Sequence, residues 1–73
     1  MTALIKWEDK SGTKFEKKFS SGNRACDFSM SLSWKEGIDI IELFFREKPE
    51  EEWCLIHEMN KRIGLDKYHA RVV

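Results

Sequence analysis

Up to Leu32 the chain alternates apolar and polar residues, and from Ser33 onward its period changes. Thr2 to Glu8 sets Ala3, Ile5 and Trp7 against Leu4, Lys6 and Glu8, which predicts a first strand over 2–8. Asp9-Lys10-Ser11-Gly12 reads as a turn in which Gly12 takes a positive φ. Thr13 to Ser20 sets Phe15, Lys17 and Phe19 against Lys14, Glu16 and Lys18, a second strand over 13–20. Lys17 interrupts the apolar side, which suits an edge or a strand end where its stem can lie on apolar surface. After a turn at Ser21-Gly22-Asn23, residues 24–32 alternate most cleanly. Cys26, Phe28, Met30 and Leu32 face one way, with Asp27, Ser29 and Ser31 opposed, so a third strand is expected with one dry face and one wet.

Ser33 to Lys48 breaks the period of two at Ile40-Ile41 and at Leu43-Phe44-Phe45. At 100° per residue from Lys35, Glu42, Lys35, Arg46, Asp39, Glu36 and Glu47 fall between about 340° and 120°, and Gly37, Trp34, Ile38, Ile40, Ile41, Phe44 and Phe45 between about 140° and 300°. Only Leu43 strays, at about 80°. Ser33 and Glu36 fit a capping box, and Pro49 disfavours helix at Lys48, so a helix over 34–47 is expected. The competing reading is a hairpin through Lys35-Glu36-Gly37, with Gly37 at positive φ. A second helix over 50–63 would begin with Pro49 and carry Glu50, Glu51 and Glu52 in its first turn. Trp53, Ile56, Met59 and Ile63 would form its apolar face, Glu58 and Arg62 an i,i+4 pair, and Gly64 its stop. In the tail 65–73, Tyr68, Ala70 and Val72 alternate with His69 and Arg71, which leaves a short edge strand and a frayed end both open.

The expected fold is therefore α+β: a three-stranded antiparallel meander over about 2–8, 13–20 and 24–32, covered by two helices over about 34–47 and 50–63. The alternative is a four-stranded antiparallel sheet with one helix.

Composition sharpens this in few places. Seventy-three residues, 41% apolar and with eight Phe or Trp side chains, form a single domain over 1–73. No apolar run of eighteen residues and no charged-then-apolar leader is visible, so a cytoplasmic protein without a membrane partner is expected. Net charge is zero, yet residues 1–24 hold three surplus bases and residues 36–52 five surplus acids. That is a weak dipole rather than a nucleic-acid signature.

Candidate chemistry is sparse. Cys54 and His57 have the C-x-x-H spacing, and Cys26 and His69 would complete a zinc quartet. Those two are lone residues without the paired spacing of zinc sites, so no metal and no other cofactor is expected. A Cys54–His57 nucleophile would need an orienting group and a pocket that nothing in the sequence marks. Gly12, Gly22, Gly37 and Gly64 form no phosphate loop. The protein reads as no enzyme.

Two binding functions remain. The first is a small protein–protein interaction module, a regulator or inhibitor that occludes a surface on a larger protein, with a homodimer left open. Its motive is a surplus of apolar surface on the 34–47 helix, and its candidate contact residues are Trp7, Leu43 and Trp53. The alternative is a nucleic-acid-binding module using the hairpin 10–18, with Lys10, Lys14, Lys17, Lys18 and Arg24 on phosphates.

Overall fold

A computed structural model of the chain describes residues 1–69. The protein is α+β: among these residues, five strands form one antiparallel sheet and a single helix packs on one of its faces. In chain order the elements are β1 (Thr2–Asp9), β2 (Lys14–Phe19), α1 (Gly22–Trp34), β3 (Ile38–Arg46), β4 (Cys54–Asn60) and β5 (Leu65–Tyr68). The strands lie in the order β2-β1-β3-β4-β5.

The amino-terminal hairpin is as the alternation predicts. Asp9 N–H donates to Thr13 C=O and Gly12 N–H to Asp9 C=O, with Gly12 at φ +87°. The Asp9 carboxylate accepts from the Ser11 and Thr13 amides and from the Ser11 hydroxyl, which ties the loop to its own first residue. β2 is an edge strand, and Lys17 lies with its ammonium over the rings of Phe19 and Phe28 at 5.3 and 5.1 Å.

Residues 24–32 correct the expectation of a third strand, for they belong to α1. Ser21 caps it, accepting from Arg24 N–H through Oγ at 3.4 Å. Phe28 and Leu32 serve either period, and Ala25 only the helical one. At helical spacing they join Ser29 on the sheet, which leaves Met30 outside. Topology requires the helix. β2 and β3 both run antiparallel to β1 and flank it, so the link between them must cross over β1. Thirteen helical residues supply about 20 Å for that crossing. The small side chains of Ala25 and Ser29 let the helix lie close to the strands.

The expected helix over 34–47 is overturned as well. Ser33 closes α1 instead of opening a new helix, since its hydroxyl donates to Met30 C=O at 2.6 Å. Gly37, at φ +90°, turns the chain from α1 into β3, the middle strand of the sheet. Three isoleucines within Ile38–Ile41 favour an extended backbone. The period of two is lost because Ile38 pairs with Asp9 and Ile40 with Glu8, which leaves Asp39 as an extra residue in a bulge.

The second expected helix is likewise absent. Pro49 occupies a turn closed by Glu51 N–H to Lys48 C=O, and residues 54–60 form β4. A bulge at Ile56 breaks its alternation, with Leu43 opposite His57 and Phe44 opposite Leu55. One helix on an antiparallel sheet therefore agrees with the alternative architecture, with five strands rather than four. Leu65–Tyr68 forms β5 at the other edge of the sheet, while Ala70, Arg71 and Val72, on whose alternation the tail reading rested, lie outside the described residues.

The core lies between α1 and the sheet. Ala3 and Ile5 of β1, Ile41 and Leu43 of β3, and Ala25 and Leu32 of α1 are buried, with Trp7, Phe19, Phe28 and Phe45 packed around them. The helix rests on β1, β2 and β3, so β4 and β5 extend past it.

Candidate functional site

Three surfaces carry side chains that the core does not use. The first is the outward face of α1. Asp27, Met30, Ser31 and Trp34 form a shallow depression there, with Met30 61% and Trp34 82% exposed. The two apolar side chains are four residues apart, one helical turn. The opposite face of α1 is clamped to the sheet by Ala25, Ser29 and Leu32, which fixes the direction in which they point.

The second is the open face of the sheet. Cross-strand register places Glu16, Lys6, Glu42, Glu58 and Lys67 in one row across all five strands. A neighbouring row runs Lys14, Glu8, Ile40, Asn60 and Leu65, and the two rows line a shallow groove. Charges of both signs are mixed there, with Glu42 directly opposite Glu58, so the groove has no positive field to draw a phosphate backbone. Lys6 lies 5.7 Å above the Phe44 ring, and the Arg46 guanidinium sits 4.0 Å from the Trp53 ring.

The third is the β4–β5 hairpin, which two imidazole–carboxylate pairs fasten. On the helix side His57 Nε2 lies 2.6 Å from Asp66 Oδ1, and Tyr68 stacks on the ring at 4.0 Å and 11°. On the open side His69 Nε2 lies 3.0 Å from Glu58 Oε1. His57 is only 7% exposed, so its polar atoms need such a partner. The bulge at Ile56 brings Cys54 and His57 to the same face of β4, and Asp66 is the group that orients the ring.

The residues proposed from the pattern scatter. Leu43 is 4% exposed within the core, so it reaches no partner unless the sheet opens. Trp7 is half-buried between Phe15 and Phe28, and Trp53 lies on Arg46. Lys14 and Lys18 point to the open face, Lys17 to the helix face, Lys10 lies in the first turn and Arg24 in the first turn of α1. The five bases thus form no common stripe. Cys26, on α1, and Cys54, on β4, are exposed free thiols, and each histidine is held by a carboxylate. Among the described residues no three such side chains are placed to hold a metal ion, and no helix is long and apolar enough to cross a membrane.

The sequence pattern does not reveal three residues. Trp34 and Met30 become outward only when 22–34 is read at helical spacing, for which the Ser21 cap was the available signal. Arg62, read as an i,i+4 partner of Glu58, instead bonds Glu8, Asp39 and the Asp9 carbonyl. No protein-family model, no curated protein and no solved structure matches this chain.

Proposed function

We propose that the protein is a small non-enzymatic interaction module, a regulator or inhibitor that covers a surface on a larger protein. The observation behind this reading is Trp34, 82% exposed beside Met30 on a helix whose other side is held by the core. A tryptophan offers large contact area at little entropic cost, and it is enriched among residues that dominate binding energy. Its use here is as an anchor entering a pocket of the partner, with Met30 adapting beside it. Asp27 and Ser31, in the same depression, supply a polar rim.

The test is affinity capture from the native host, with wild type and a Met30→Ser, Trp34→Ala variant side by side. Both side chains lie outside the core, so the variant should keep the wild-type circular dichroism and melting temperature. A partner held by wild type and lost by the variant supports the reading. The same partners on both, or none on either, would overturn it.

A further inference from the structure

The backbone of β2 has one side unused. Asp9 and Thr13 form the hydrogen-bonded pair that closes the first turn, and alternate pairs bond from there along an antiparallel ladder. Phe15, Lys17 and Phe19 therefore spend their N–H and C=O groups on β1. Lys14, Glu16 and Lys18 turn theirs outward, at the edge of the sheet.

We propose that this edge is a self-association site: two copies join β2 to β2, antiparallel, about a two-fold axis at Lys17. Five strands in each copy would make one continuous sheet of ten. The fullest overlap of Lys14–Phe19 leaves an axis at Glu16 or at Lys17, and the side chains choose between them. An axis perpendicular to the sheet keeps each face continuous, so residues on one face meet residues on the same face of the second copy. Centred on Lys17, Glu16 of each copy meets Lys18 of the other on the open face, and Phe15 meets Phe19 on the helix face. Each copy's outward N–H and C=O groups at Glu16 and Lys18 then bond to each other. Centred one residue earlier, Glu16 would face Glu16 and Lys14 would face Lys18, both like-charge pairs.

The cost of the Lys17 register is two lysines meeting at the axis. The fold draws them back, since each Lys17 ammonium lies over Phe19 and Phe28 of its own copy. Phe15, 43% exposed on Trp7, gains a cover from Phe19 of the second copy. Lysines on an edge ordinarily repel an arriving strand. Here Glu16 turns that repulsion into a code that a second copy satisfies. The site lies apart from the Trp34 surface and goes beyond the function proposed for it.

Sedimentation equilibrium over a wide concentration range tests this, on wild type, Glu16→Lys, Lys18→Glu and the double variant carrying both changes. Wild type should dimerise. Either single change puts like charges into two cross-strand pairs and should weaken the dimer about tenfold or more. The double variant restores opposite charges in both pairs and should recover it. A wild type that stays monomeric, single variants that dimerise as wild type does, or a double variant no better than the singles would each overturn the proposal. Trp34→Ala should dimerise as wild type does. A monomeric wild type that still captures a Trp34-dependent partner would sink the dimer alone, and a dimer that captures none would sink only the interaction reading.

Discussion

Arg62 Nη1 lies 2.7 Å from Glu8 Oε2, joining residues 54 positions apart in the chain. The same guanidinium donates through Nε to Asp39 Oδ2 at 2.9 Å and through Nη2 to the Asp9 carbonyl at 3.1 Å. One side chain in the β4–β5 turn thus ties the end of β1 to the bulge that opens β3. The hydrogen bond to Glu8, and then that to Asp39, raises the Arg62 pKa above its ordinary value, so the guanidinium stays protonated.

Arg62→Met should lower the melting temperature, and Arg62→Lys should fall between it and wild type because an ammonium cannot serve three acceptors in this fork geometry. The group is partly exposed, so the gap between wild type and Arg62→Met should narrow in about 1 M salt. Thermal melts at low and high salt check this; coincident melts of wild type and Arg62→Met would show that the clamp adds nothing.

Asp9 predicts an acid limb. The Ser11 hydroxyl foremost, with the Thr13 and Ser11 amides, holds its carboxyl below the ordinary aspartate range. A lowered folded-state pKa favours the charged form. Its contribution is complete above the ordinary value near 4 and is lost as pH falls through the lowered one. Asp9→Asn should therefore be less stable at neutral pH and lose less on acidification. Urea midpoints between about pH 6 and 2 measure it; parallel curves for the two proteins would count against this account.

The core and the anchor should separate cleanly. Ile5→Ala and Leu43→Ala should each cost about 2–4 kcal/mol, from a total of about 4–10 kcal/mol for a chain of this length. Trp34→Ala should stay within about 0.5 kcal/mol of wild type, as surface changes do. Urea unfolding gives all three values. A large loss at Trp34 would place that ring in the fold rather than at an interface.

His57 and Asp66 are unequal partners. The ring is buried under Tyr68, whereas the Asp66 side chain is 60% exposed. His57→Ala should cost about 2–3 kcal/mol through lost packing, and Asp66→Ala less than about 1 kcal/mol, because water can replace an exposed carboxylate. Denaturant unfolding of the two variants tests the order, and a reversed order would contradict it.

Alternation was sufficient where a strand shows one face to solvent and its turn is local. The β1–β2 hairpin, Gly12 in its loop and Lys17 at an edge all read directly from residues 2–20, because each depends on neighbours within a few positions. Leu65–Tyr68 shows no such alternation, and its strand forms by pairing with β4. None of the three candidate contact residues announced its surroundings. Trp7, Leu43 and Trp53 are large and apolar, and size alone does not tell an anchor from a core residue.

Tertiary structure decided the rest. Residues 24–32 satisfy both periods through Phe28 and Leu32, and they become helix because β3 must pass to the far side of β1. Residues 38–46 carry apolar side chains on both faces of a middle strand and an extra residue at Asp39, so neither period fits them. Arg62 meets Glu8 and Asp39 only after β1, β3 and β4 have been laid side by side. Periodicity records which face of one segment is dry. The order of strands, the placing of bulges and the partners of a long cation depend on separations in space that no single segment encodes.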